Sequence, residues 1–499
     1  MSTLSFSAAA TFLSLLLAAP ALPAQTIAAA PAPGMSRVRI VRISQISGSV
    51  QVDRGVGRGF EPAMENLPIV ESSRVRTETG VAEIEFEDNS TLRVAPNTEV
   101  DFPELERTAS GATVTEVRVV HGMVYASLMK TRGNDFTLLF GPGNNQEKLQ
   151  LPPSSHIRLQ VNPTGAELAV LDGSMQVNGA DGPIAVPRKR TVSFSFTEAG
   201  DPTVAKKVET ESFDAWDRQS TQYQERASTL SAFGNTPYSY GLNDMSYYGA
   251  FSDMAGCGSM WRPYFADAAW NPYANGAWAW YGGAGYSWVS PYPWGWTPYH
   301  SGAWSYCQGS GWGWMPGGAW NGLANTPAVT HSINGGKFAP LPRPPAQPPR
   351  IGHATLVAVN LTPAIVSGMD RKGSFVFRRD SAGLGIPRQG LGGLRGFSRN
   401  SLRHGVASTP VYLTLNTGNR SLGDSARMAA GQIAPIAIHR GFAPAPAAPS
   451  QAGYSSASTL NSSSSSLSSS SPTAPTMSAA APHAVAGGGA AGASGGRPR

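Results

Sequence analysis

Eleven of the 12 tryptophans in this 499-residue chain lie between Trp261 and Trp320. A segment with that much indole and few aliphatic residues must either build its interior from rings or display them. The block also repeats. Trp270, Pro272, Tyr273, Gly276, Trp278, Trp280, Gly285, Tyr286 and Trp288 recur 26 residues later as Trp296, Pro298, Tyr299, Gly302, Trp304, Tyr306, Gly311, Trp312 and Trp314. A partial third copy is expected to start at Trp261-Arg262-Pro263-Tyr264. Trp-x-Trp pairs put both rings on one face of a strand, and the glycines between them turn the chain, so each unit reads as a small hairpin.

The rings can then have two roles. Some must fill the core. The others would form a platform, with Trp270, Tyr273, Trp278, Trp280, Trp296, Tyr299, Trp304, Tyr306, Trp312 and Trp314 as the candidate ligand-stacking residues. Flat apolar faces stack on sugars, and repetition along a polymer adds avidity. Nucleic acid would require interleaved cations, yet Arg262 is the single basic residue from 233 to 320. The expected partner is therefore a cell-wall glycan or an envelope protein, with no specific nucleic acid.

Cys257 and Cys307, the only cysteines, flank this block. In an oxidising compartment an even pair reads as a disulfide, and without a histidine at ligand spacing it is not a zinc site. The start of the chain points to such a compartment. Residues 1–24 carry a short apolar run (LSLLLAA at 13–19) and small-residue exits at Ala19-Pro20-Ala21 and Leu22-Pro23-Ala24, as in a signal peptide, and 25–36 reads as a linker. A periplasmic or extracellular location is expected. No later run is long and apolar enough to span a bilayer, so no transmembrane segment is expected after signal removal.

Residues 37–196 have the alternation of short strands. Val81-Ala82-Glu83-Ile84-Glu85-Phe86, a turn at Asp88-Asn89-Ser90, and Thr91-Leu92-Arg93-Val94 make a hairpin. Further runs fall at 114–120, 123–128, 136–140, 157–161, 167–171 and 191–196. Gly48-Ser49-Val50-Gln51-Val52 is echoed by Gly173-Ser174-Met175-Gln176-Val177. Glu83, Glu85 and Glu87 alternate on one face, which is expected to be a solvated polar face rather than a catalytic pair. Residues 205–232 read as one amphipathic helix carrying Phe213, Trp216 and Tyr223, with Trp216 as its packing anchor.

The runs GSVQVDRG, SRVRTETGVAEIEFEDNSTLRVAPNTEV, VVHGMVYASL and AVLDGSMQV resemble the FecR domain of bacterial envelope proteins. In iron uptake, members of that family pass a transporter's signal to a sigma factor; the resemblance here implies the module without the signalling circuit, since no helix linking to a sigma factor is evident. The block at 238–320, with MWRPYFADAAWNPYANGAWAW, GYSWVSPYPWGWTPYHSGAW and GWGWMPGG, resembles a Trp/Tyr/Gly-rich domain of unknown function that follows FecR-like domains in secreted proteins.

Charge separates the last part from the rest. From 321 to 499 there are 16 basic and three acidic residues, against 21 and 26 from 37 to 232. Residues 321–499, rich in Pro, Ser, Ala and Gly, are expected to be a mostly disordered basic tail in loose contact with polyanions, with candidate strands at 374–379 and 411–415. No catalytic motif, metal-ligand spacing or cofactor fingerprint is present, and His300 is expected to hydrogen-bond a loop. The fold class expected is mainly β: a FecR-like all-β domain, a linking helix, an aromatic β-repeat module and a long tail. The function expected is non-enzymatic binding or scaffolding at the cell envelope through the aromatic repeats. The alternative is a periplasmic sensor acting through a separate membrane or sigma-regulator partner.

Overall fold

The computed structural model describes residues 39–411, apart from residues 132, 144–145, 199, 226–232, 235, 328, 334–336, 351–352, 361–363 and 389–390. The architecture is mainly β, with 28 strands and four helices among the described residues: Asp214–Glu225 (α1), Leu242–Tyr248 (α2), Thr297–His300 (α3) and Leu394–His404 (α4). No helix among them is long and apolar enough to cross a membrane.

The first domain is a 15-stranded sheet system running from Val41–Ser47 to Thr203–Ala205. Its organiser is the 15-residue strand Thr113–Ser127. The first half of that strand pairs with Thr98–Arg107 and, in parallel, with Asn134–Phe140; the second half lies between Thr91–Val94 and His156–Asn162. The strand changes partners at Gly122, where φ is +95° and a Cβ would sit 2.3 Å from Thr98 Oγ1. Only glycine permits that crossing. The expected hairpin forms, with Ala82 opposite Val94 and Ile84 opposite Leu92, and Asn89 takes φ 68° in its turn. Gly48 and Gly173, which open the echoed pentapeptides, both have positive φ and lead into strands.

Three hairpins come next along the chain, and they share one register. Gly249–Met254 pairs with Gly258–Pro263, Asn275–Tyr281 with Gly285–Val289, and Ser301–Cys307 with Gly311–Trp320. Phe251 faces Trp261, Trp278 faces Trp288, and Trp304 faces Trp314. The common pattern is G-A-[FW], six residues, then G-x-x-W, starting at Gly249, Gly276 and Gly302. The additional copy therefore lies before Trp261 rather than beginning there: Trp261 closes it. The leading glycine makes room for the ring twelve residues on, since a Cβ would come within 2.3 Å of the Trp261 ring at Gly249, 2.2 Å of Trp288 at Gly276 and 2.9 Å of Trp314 at Gly302.

The Cys257–Cys307 disulfide joins the turn of the first hairpin to the end of a strand in the third, with Cα atoms 6.2 Å apart. Closing a 50-residue separation in this way stabilises by roughly 3–4 kcal/mol in the chain-entropy picture. Met254, Met260 and Met315 pack around it.

Two expectations need correction. The helix expected over 205–232 begins only at Asp214, as α1, Asp214–Glu225, with buried residues Asp217, Ser220, Tyr223 and Gln224; the expected stretch 226–232 lies outside the described residues. Its inner face is thus largely polar, and Trp216 is only half-buried. Residues 321–411 also belong to the fold rather than to a tail. Leu356–Asn360 adds a third strand beside Asn275–Tyr281, and Ser374–Arg378 pairs with Val406–Pro410 under the helix Leu394–His404. Phe375, Phe377, Leu384, Ile386 and Leu394 enter the same core as the tryptophans. Average composition hid this, because a few well-spaced apolar residues suffice when a ring core already exists for them to cover. The candidate strand at 411–415 lies outside the described residues after Val411, as do residues 1–38 and 412–499.

The core of the first domain extends into the second hairpin. Ala279, Tyr281 and Val289 of the second hairpin pack in the cluster of the first domain, and Tyr281 donates to the Pro68 carbonyl at 2.7 Å.

Candidate functional site

The strand Val81–Glu85 is buried on both faces. Ala82, Ile84 and Phe86 enter the apolar core, while Glu83 and Glu85 are 0% exposed on the other side and Glu87 is 9%. The alternation holds, but the expected solvated face does not exist. It is covered by α1, by α2 (Leu242–Tyr248), by the turn at 238–241 and by Arg388.

Burying carboxylates is tolerable only with charged partners and hydrogen bonds. Each one here has them. Glu83 accepts from Arg93 Nε at 2.8 Å, Arg388 Nη1 at 2.7 Å, Ser44 Oγ at 2.8 Å and Gln224 Nε2 at 3.1 Å. Glu85 accepts from Arg42 Nε at 2.7 Å and from the Gly241 amide at 3.2 Å. Asp244 is bound by Arg42, by Arg388 Nη2 at 2.9 Å and by the Tyr223 hydroxyl at 2.8 Å. Asp217 on α1 takes Arg93 Nη1 at 2.7 Å and lies 2.8 Å from His156 Nε2. Glu87 is chelated by Arg39 and also meets Arg107 at 3.0 Å.

The electrostatics are set by this arrangement. Burial alone would raise the Glu83 carboxyl, but Arg93 and Arg388 outweigh it and hold the pKa at about 2. Burial dominates at Glu85, whose pKa is raised despite Arg42. At the rim, Glu65 has no guanidinium within salt-bridge reach among the described residues, and burial lifts its pKa to about 7. The Arg388 charge is disfavoured by burial, yet Asp244 and Glu83 more than offset this and raise its pKa. A carboxylate held down by two guanidiniums is a weak base, so this cluster is built to hold segments together.

Most of the rings expected to form a platform lie inside the protein. Trp270, Tyr273, Trp278, Trp296, Tyr299, Trp304, Trp312 and Trp314 are each 6% exposed or less. They pack on one another, many edge to face: Trp294, for instance, lies 5.0 Å from Trp261 and 5.9 Å from Trp270 between ring centroids. Their faces are core surfaces. Trp280 and Tyr306 are half-buried. They occupy the same position in successive hairpins and each lies against the ring opposite, Tyr286 at 5.0 Å and Trp312 at 5.5 Å.

His300 bonds a loop, as expected from sequence: its Nδ1 lies 3.0 Å from the Gly322 carbonyl. Its ring sits between Trp296 and Trp320, at 4.0 and 5.1 Å. Burial lowers its pKa to about 3, so it is neutral at physiological pH. Sequence reasoning missed Arg42, Arg93, Asp217, Asp244 and Arg388. The one available signal was a set of isolated charges inside otherwise apolar segments.

Residues 242–345 match a family of unknown function (DUF6600), a span that takes in the three aromatic hairpins and the 25 residues after Trp320. Comparison with curated proteins gives no significant match. Among solved structures, two crystal structures of a "putative anti-sigma factor" from Parabacteroides distasonis are similar in part. Each shares 12% identity, with TM-scores of 0.24 and 0.23, covering 29% and 28% of this chain. The chain spans only 63% and 62% of the length of those proteins.

Proposed function

We propose that this chain is an exported, non-enzymatic structural protein of the cell envelope, in which the β domain, the aromatic module and residues 321–411 act as one rigid scaffold. The observation that carries this reading is the buried network in which Arg388 bridges Glu83 of the first domain and Asp244 of α2. The polar groups with chemical potential are spent on fastening segments, and the aromatic faces are spent on packing. Export is supported by the leader-like start and by the Cys257–Cys307 disulfide. Contact with wall glycan, on this reading, falls to half-buried rings such as Trp280, Tyr286 and Tyr306.

The test is fractionation of cells producing the full chain, combined with thiol alkylation before and after reduction. The reading predicts recovery with the envelope and alkylation of Cys257 and Cys307 only after reduction. Recovery in the cytoplasm with both thiols free overturns it.

A further inference from the structure

The five-stranded sheet of the aromatic module runs in the order Gly249–Met254, Gly258–Pro263, Gly311–Trp320, Ser301–Cys307 and Val329–Ile333. Its two faces carry different chemistry. Trp261, Trp304, Trp312 and Trp314 lie on one side, in the ring core. Alternate residues point the other way, and there Met254, Met260, Met315 and Cys307 gather with Cys257. No aliphatic or aromatic side chain among the described residues belongs to that cluster. Elsewhere buried methionine is ordinary filling: Met175 and Met245 sit in cores of mixed aliphatic and aromatic side chains.

The sulfurs also converge. Trp261 pairs with Trp314 in an antiparallel ladder, which brings Met260 opposite Met315. Gly313 stands two residues before Met315, on the same face, and a Cβ there would lie 2.7 Å from Met254 Sδ and 2.7 Å from Met260 Sδ. Two thioethers thus aim at one spot on the strand, no further apart than twice that distance, because glycine leaves the space open. The Cys257–Cys307 disulfide is closed, so its sulfurs are not thiolates, and the donors on this face are the three neutral thioethers. Met254 is 4% exposed and Met260 0%. Met315 and Cys257 are half-buried, and the turn residues Ala255, Gly256 and Gly258 are exposed. The cluster is dry inside and is reached from the side of that turn.

Thioether sulfur is a soft donor that selects Cu(I) over harder ions. No carboxylate or imidazole among the described residues belongs to the cluster. An uncharged, buried donor set favours an ion of single charge, since burying a divalent ion without counter-charge costs far more. We propose that Met254, Met260 and Met315 form a binding site for Cu(I), with the disulfide holding the turn of the first hairpin beside it. All three methionines stand on paired strands, so their backbone is fixed before an ion arrives. The site goes beyond the scaffold reading and does not rest on it.

The experiment is anaerobic titration of the full chain, disulfide intact, with Cu(I) held by the competing chelator bicinchoninate. The wild-type chain is expected to withdraw a single Cu(I) per chain, and X-ray absorption at the copper edge should show sulfur neighbours alone. The Met254→Leu/Met260→Leu/Met315→Leu variant, which keeps volume and apolar character, should withdraw none. Met315→Leu alone, at a half-buried position, should weaken uptake without disturbing the fold. The control Met64→Leu/Met175→Leu/Met369→Leu removes as many thioethers from other places and should behave as wild type; circular dichroism and tryptophan emission check that each variant folds. The proposal is overturned if the wild-type chain takes up no Cu(I), if either variant of the cluster binds like wild type, if the control loses as much, if nitrogen or oxygen neighbours appear at the copper, or if uptake begins only after the disulfide is reduced, which would assign it to the cysteines.

Discussion

Arg388 Nη1 lies 2.7 Å from Glu83 Oε1 although the two residues are 305 positions apart, and both side chains are almost completely withdrawn from water. The same guanidinium reaches Asp244 at 2.9 Å. One side chain from a segment of tail-like composition thus closes a network begun on the first domain. Removing it should leave Glu83 and Asp244 short of a partner. Arg388→Met is expected to cost about 3–5 kcal/mol, the usual penalty for breaking a buried ion pair. Chemical denaturation of the full chain measures this; an unchanged midpoint would mean that the contact is incidental.

Acid should destabilise the protein in two stages. The folded pKa of His300 is lowered to about 3 from 6.5. The unfolded state therefore takes up a proton first as pH falls below 6.5, and stability drops by about 1.4 kcal/mol per pH unit until the folded pKa is reached. Glu83, depressed from 4.5 to about 2, adds a loss of the same sign between those values. Glu65, raised to about 7, acts oppositely, because its contribution is lost as pH rises from 4.5 towards 7. His300→Asn should remove the first component. Unfolding free energies of wild type and variant across pH 3 to 6.5 should converge as pH falls, and parallel curves would contradict the assignment.

Gly276→Ala and Gly302→Ala should each destabilise by at least about 1–3 kcal/mol, the cost of forcing atoms into a packed core. A Cβ at these positions meets the Trp288 ring at 2.2 Å and the Met315 carbonyl at 2.2 Å. Gly282→Ala, in open space and without a positive φ, is the matched control and should be near neutral. Thermal unfolding measured by tryptophan emission separates these outcomes.

Replacing Cys257 and Cys307 by serine should lower stability by roughly 3–4 kcal/mol. Because the bond joins the first hairpin to the third, hydrogen exchange should quicken in Gly249–Met254 and Ser301–Cys307 before it does in Thr113–Ser127. Uniform quickening would argue against a local staple.

The periodic features were legible in the sequence. Alternation located the hairpin around Asn89 and the strands of the first domain, and self-alignment located two of the three aromatic hairpins. The first hairpin escaped because Phe251 stands where Trp278 and Trp304 stand in the others. The side of the strand carrying Glu83, Glu85 and Glu87 was placed correctly, but its environment was not. Alternation reports which residues share a face, and the covering groups come from α1, α2 and Arg388, far away in sequence. The ring platform failed for a related reason: spacing puts Trp278 and Trp280 on one face of a strand without saying whether another hairpin lies over it. Residues 321–411 were obscured by their Gly and Pro content, which masks the few apolar side chains that dock on the rings.

The most direct test of the scaffold is unfolding of the full chain monitored with two probes. Tryptophan emission reports the aromatic module, which holds all but one of the 12 tryptophans, and hydrogen exchange reports the strands Val81–Glu85 and Thr113–Ser127 of the first domain. The account predicts coincident transitions, displaced together to lower denaturant by Arg388→Met. Two separate transitions, with Arg388→Met moving neither or only one, would contradict it.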